Sequence, residues 1–171
     1  MFSRTGREAP VVALRDPANL VCRRAIWYWT ARALLCWLVV AAVVVLVLVQ
    51  TDGNRRPGYL ILAGVLLLAA LHSAVMPRWR YRVHRWEATP IAVYTRAGWF
   101  NQERRIAPLS RIQTVDTERG PLEQLFRLAN VTVTTASAAG PLKIHGLAPD
   151  TADQLVAELT AATAADPHDA T

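Results

Sequence analysis

The sequence predicts a membrane α+β protein: two spanning helices, then an antiparallel sheet covered by a C-terminal helix. Three observations carry this. Two uncharged apolar runs lie close together in the first half, short Val-, Ile-, Thr- and Tyr-rich segments with turn signals fill residues 79–146, and a helical apolar period appears toward the C-terminus. Apolar residues make up 53% of the 171 and charged residues still reach 19%, so a lipid-facing zone and a wet zone share one chain.

Residues 33–49 read ALLCWLVVAAVVVLVLV and residues 58–75 read GYLILAGVLLLAALHSAV. A bilayer crossing takes about 17–25 mostly apolar residues, so each run suffices. One ionised side chain at mid-bilayer costs at least about 2.5–3.5 kcal/mol on insertion scales, and neither run holds one. A cleavable signal peptide would start earlier and end in small residues, and a soluble core helix pair would need more chain to wrap it. The connector QTDGNRRP, residues 50–57, is a turn, with Pro57 suited to the first turn of the second helix. Arg23, Arg24 and Arg32 flank one far end and Arg78, Arg80, Arg82 and Arg85 the other, against Arg55 and Arg56 in the loop. The bias places both termini of a multi-pass protein in the cytoplasm.

Residues 1–32 form a cytoplasmic N-terminal segment. Within it PANLVCRRAIWYWTAR brings Leu20, Arg23, Arg24, Trp27 and Tyr28 together at helical spacing, as an interfacial amphipathic helix does. Trp27, Trp29, Tyr59 and Trp79 are the expected membrane-interface anchors. The opening MFSRTGREAP has no periodicity and reads as mobile. The net charge of +6 does not sit on the wet domain: residues 1–57 carry 8 Arg against 3 acids, whereas residues 78–171 carry 11 basic and 10 acidic residues. That distribution argues against nucleic acid and for membrane lipid as a partner. Arg23, Arg24, Arg78, Arg80, Arg82 and Arg85 are the candidate contacts to anionic lipid or to a partner. Cys22 and Cys36 supply neither a disulfide framework nor zinc spacing, and Cys22 reads as an inert thiol. His72 reads as interfacial, because a proton relay needs a polar partner that the first run does not offer, and Gly64 lacks a partner for a helix-packing motif.

The wet domain occupies residues 77–164, with strands expected at Trp79–Trp86, Ile91–Ala97, Trp99–Ala107, Ile112–Glu118, Val131–Ala136 and Leu142–His145. Val131, Val133 and Thr135 share one face, and Leu142 and Ile144 another. Ile112 and Val115 have opposite parity, which predicts a bulge. Gly120 and Pro121 open a one- or two-turn helix whose apolar face is Leu122, Leu125 and Phe126. Ala152, Leu155, Val156, Leu159 and Ala162 define the last helix, capped by Asp150 or Thr151. The tail ADPHDAT, residues 165–171, reads as disordered.

The segments YRVHRWEATPIAVYTRAGWF, ERRIAPLSRIQTVDTERGPLEQLFRLANVTVTTA and LKIHGL, downstream of a hairpin with an aromatic and basic approach, resemble the bacterial pleckstrin-homology-like (PH-like) membrane proteins, the YdbS-like family. The resemblance covers roughly residues 20–160. It implies a PH-like fold, a strongly bent antiparallel sheet or partial barrel of about seven strands closed by the C-terminal helix; six are read directly and the seventh rests on the resemblance. It transfers no catalytic residues. For some members it suggests envelope stress or antimicrobial resistance, and it implies a partner such as a multi-domain PH-like relative.

Chemistry is sparse. Asp116 and Glu118 are two apart on a strand, as paired carboxylates are, but a solvated face beside Arg119 explains them. His72, His84, His145 and His168 are scattered without a metal pattern, and no phosphate loop or nucleophile elbow is present. Arg104 and Arg105 read as a wet strand edge. The expectation is a non-enzymatic interaction or scaffold protein without cofactors, which recruits another membrane protein or its own kind. A sensor of anionic headgroups is the alternative.

Overall fold

The computed structural model describes residues 16–51, 53–137 and 140–164. The expected mobile start, the expected disordered tail and His168 lie outside the described residues.

Helices α1 (Arg24–Gln50) and α2 (Arg56–Val83) contain the two apolar runs. At 27 and 28 residues each is about 40 Å long, against a hydrocarbon layer of about 30 Å. Only 6% and 11% of their most apolar stretches are buried in protein, which separates them from the core helices of a soluble fold. Leu34, Leu38, Leu60 and Leu67 point outward with half or more of their surface uncovered, a greasy area that water would not tolerate. Near the domain the buried positions repeat every four residues: Ala25, Trp29 and Ala33 on α1, and Ala69, Ser73 and Pro77 on α2. Mostly small side chains there let the helices approach.

Two boundaries differ from expectation. The strand expected at Trp79–Trp86 is helical as far as Val83, and the strand itself is β2 (Arg85–Ala88). Pro77 removes one helical hydrogen bond but does not end α2. Trp79, Tyr81 and Val83 alternate as a strand would, yet Val83 is buried and Tyr81 packs against the junction, so tertiary contacts override the local pattern. Arg80 and Arg82 suit the negative C-terminal end, and His84 closes it by donating its backbone N–H to Arg80 O at 2.9 Å. Upstream, α1 is continuous from Arg24, and Leu20 lies in an extended strand, β1 (Asn19–Leu20), rather than in a separate helix.

The strand β1 pairs antiparallel with β2, Asn19 opposite Trp86 and Leu20 opposite Arg85. It is the seventh strand that the resemblance implied, and it comes from before the hairpin. Thus the helices are inserted between the first two strands, and the boundary expected at residue 77 does not enclose the whole sheet. The first sheet continues through β3 (Ala92–Gly98) to β4 (Gln102–Pro108) in the order β1-β2-β3-β4. A single 3₁₀ turn, Leu109–Arg111, leads to the second sheet of β5 (Ile112–Glu118), β6 (Ala129–Thr135) and β7 (Leu142–Leu147). The sheets do not close into a barrel. The pairing slips between Ile112 and Thr114, the bulge that the parity change predicted, and Ile112 and Val115 both end half-buried against the core.

That core gathers Val93, Val131, Val133, Leu142 and Ile144 with Ala152, Leu155 and Leu159 of α4 (Pro149–Ala164). Each fully buried Leu or Val contributes about 1.5–3 kcal/mol relative to exposure. The short helix α3 (Pro121–Leu125) follows the Gly-Pro corner as expected, but only part of its apolar face turns inward: Leu125 is 74% exposed while Phe126 packs toward α1.

Candidate membrane-proximal site

A second apolar cluster, Val21, Ala25, Trp29 and Leu128, lies where the helices meet the sheets, flanked by Tyr28, Tyr81, Trp86 and Phe126. Trp29 is only 2% exposed. The Arg80 guanidinium sits 4.7 Å from the centre of its ring, and the His84 ring is 5.0 Å away. His84 Nδ1 lies 2.8 Å from Arg80 O, a carbonyl that can only accept, so Nδ1 carries the proton and Nε2 faces Arg80 Nε at 3.5 Å. Burial, and then the Arg80 charge, lower the His84 pKa to about 4, so the ring is neutral at physiological pH. Burial also lowers the pKa of His145, with Arg80 and Lys143 adding to the effect.

Polar contacts stitch this junction to the second sheet. Tyr28 donates to Glu123 Oε1 at 2.8 Å, Asn130 donates to the same oxygen at 3.3 Å, and Gly146 N–H donates to Asn130 Oδ1 at 3.0 Å. Burial raises the Glu123 pKa, but hydrogen bonds from Tyr28, its own backbone and Asn130 outweigh that and lower it. Gly146 O accepts from Cys22 N–H at 2.8 Å, which ties the chain just past β1 to β7. With φ +77°, Gly146 occupies a conformation that L side chains rarely adopt, and a Cβ there would stand 2.9 Å from Ala25 Cβ. Glycine is what lets β7 reach α1.

The six candidate arginines do not form one cluster. Arg78 and Arg82, four apart, share the exposed face of α2, where Arg78 Nη1 donates to Ala74 O at 2.6 Å. Arg80 turns inward onto Trp29. Arg85 is half-buried in β2, with Nη1 3.4 Å from Pro17 O, and Arg23 and Arg24 are exposed where α1 begins. Of the expected anchors, Trp27 is 69% exposed, Trp79 49% and Tyr59 56%. Trp29 is the correction: it lies inside the junction and has no surface to offer lipid, because it sits on the inner face that Ala25 and Ala33 share. His72 is another. The first apolar run does supply a polar partner, since Trp37 Nε1 donates to His72 Nδ1 at 3.1 Å.

On the far side, β4 is the edge of the first sheet. It borders a cleft of about 400 Å³ lined by Arg104, Arg105, Ile106 and Arg111 on one side and by Thr135, Ser137 and Leu142 on the other. Arg105 is held by Glu103 at 2.7 Å and donates to Pro141 O at 2.6 Å, bridging the sheets across it. Asp116 and Glu118 are exposed on β5, and the Thr114 hydroxyl donates to Asp116 at 3.2 Å. Among the described residues no three His, Cys, Asp or Glu side chains are grouped to hold a metal, and Cys22 and Cys36 are free thiols.

Two features escaped sequence reasoning. A lone glycine in a strand signals close backbone approach, so Gly146 was legible in LKIHGL. The junction network of Tyr28, Glu123 and Asn130 joins residues 95 and 7 positions apart, and no local pattern announces it.

A family model described as Bacterial PH domain matches residues 31–163. The UPF0699 transmembrane protein YdbS of Bacillus subtilis (strain 168) is 28% identical over 143 residues, which cover 82% of this chain and 89% of that protein. No solved structure matches.

Proposed function

The chain belongs to the bacterial PH domain family, and on that premise we propose that it is a non-enzymatic, multi-pass interaction module of the bacterial cytoplasmic membrane. Its hairpin crosses the bilayer twice, and both termini and the PH-like domain lie in the cytoplasm. The positive-inside bias supports the orientation. Its working surface is the β4 edge, which takes an extended segment of another membrane protein, of a multi-domain PH-like relative, or of a second copy. The physiological setting proposed with it, envelope stress or antimicrobial resistance, rests on the family resemblance.

One observation carries the reading: the first sheet ends at β4, beside a cleft whose walls include Arg104, Arg105 and Arg111. An edge strand is a template for a further strand; Arg104, paired with Asp16 at 3.1 Å, and Arg105, paired with Glu103, would exchange these carboxylates for those of an acidic one. A photo-crosslinking residue in place of Ile106, 45% exposed on β4, tests it in native membranes. The expected result is one protein adduct of fixed mass, lost when Arg104 and Arg105 become Glu. Absence of any protein adduct at Ile106 and at Arg104 sinks the reading.

The exposure of Arg23, Arg24, Arg78 and Arg82 favours a second reading, recognition of anionic headgroups. On it, replacing all four by Gln lowers the phosphatidylglycerol that copurifies with the full chain. Unchanged lipid means that these arginines set topology alone.

A further inference from the structure

The geometry points to a third membrane-inserting element: the turn Trp99-Phe100-Asn101 between β3 and β4, with Phe100 seated at the headgroup–acyl boundary of the bilayer that α1 and α2 enter. This rests on the reading of those helices as membrane spans. The turn runs back along α2. The Trp99 ring lies 5.8 Å from that of His72, and Trp79 Nε1 donates to Trp99 O at 3.1 Å. His72 belongs to the apolar run 58–75 and is hydrogen-bonded to Trp37 of the other run, so the contact reaches a level where both helices are apolar. From His72 to residue 75 the helix rises about 5 Å, comparable to the depth at which interfacial segments settle.

The chemistry of the turn agrees. Gly98 and Gln102 face each other in register, leaving three connecting residues, where Asn, Asp, Ser and Gly are usual. Two of the three are Trp and Phe. Gly98, at φ +117°, fixes the turn: a side chain there would collide with the Asn101 carbonyl. Phe100 is 92% exposed and Trp99 44%, next to Trp79 at 49%. A single exposed aromatic is ordinary on a soluble surface. Three adjoining ones, Trp99 and Phe100 on the turn and Trp79 on the helix beside it, have the composition of an interfacial belt. The nearest carboxylate on β4, Glu103, is paired with Arg105 at 2.7 Å, so it does not meet an anionic leaflet as a bare charge. The turn and the junction therefore hold the domain against the leaflet at two points, which fixes the direction in which the β4 edge faces.

Nitroxide collision accessibility tests this on the full chain in phosphatidylethanolamine–phosphatidylglycerol nanodiscs, in a Cys22→Ser, Cys36→Ala background. Labels are placed singly through Phe100→Cys, Val43→Cys and Lys143→Cys. The expected result is that the labels at 100 and 43 are several-fold more accessible to oxygen than to a water-soluble nickel chelate, relative to the label at 143. A water-like label at 100 beside a lipid-like label at 43 overturns the insertion and leaves the spans standing. A water-like label at 43 overturns the spans and the insertion with them.

Discussion

The two apolar clusters are built from different materials. The domain core is aliphatic, with Val93, Val131, Val133, Leu142 and Ile144 under Leu155 and Leu159, and both sheets and α4 supply it. The junction cluster is centred on one indole, Trp29, with a guanidinium and an imidazole against it and a hydrogen-bonded carboxylate nearby. Aliphatic packing makes the fold. The junction adds directional contacts between parts of different kinds, helices and sheets, and so sets how the domain sits on them.

Trp29→Ala should break that division most severely. The expected loss is about 3–5 kcal/mol, as for large aromatic-to-alanine changes in cores. It is read from urea unfolding of the full chain in micelles, with backbone hydrogen exchange in β6 and β7 still protected. Leu155→Ala should cost about 2–5 kcal/mol and strip protection from those strands instead. If both variants lose protection in the same strands, the clusters are one core.

Acid should sharpen the contrast. His84 is 3% exposed and its pKa falls from 6.5 unfolded to about 4 folded. The unfolded chain therefore takes up the proton first. The stability held by neutral His84 is complete above about pH 6.5, and about 3 kcal/mol of it is lost as pH falls from there to about 4. His145 shifts in the same direction. Denaturant midpoints between pH 7 and 4 should fall, and His84→Gln should flatten that slope; an unchanged slope contradicts the burial of a neutral ring.

Gly146→Ala comes next, at about 2 kcal/mol, from positive-φ strain and the collision with Ala25. Adding Ala25→Gly should restore the collision part only, a non-additivity that a double-mutant cycle reads directly. The smallest effect is expected for Arg119→Ala. Its 3.2 Å pair with Asp153 is largely exposed and contributes about 0–1 kcal/mol.

What the sequence made legible follows from the range of the forces. The spans were readable because lipid demands an unbroken apolar run, and β5, α3 and α4 because their signals are local: parity with a bulge, Gly-Pro, a helical stripe. The end of α2 is not legible locally, because Trp79, Tyr81 and Val83 alternate like a strand and only the packing of Val83 and Tyr81 shows otherwise. β1 is two residues long, below any periodicity, and exists because β2 lies beside it. Trp29 and Trp27 have equal claims as interfacial aromatics. Only the arrival of Gly146 and Arg80 buries one of them.

The hairpin interrupts one sheet, so that β1, before the spans, and β7, after them, lie together on one side of the membrane, the side proposed above as cytoplasmic. Labelling of intact cells with a membrane-impermeant maleimide tests it, using single cysteines at Asn19, Asn54 and Lys143 in the Cys22→Ser, Cys36→Ala chain. All three positions are exposed. Reaction is expected at 54 alone until the cells are opened, when 19 and 143 react together. Reaction of 19 or 143 in intact cells, or protection of 54, would contradict it.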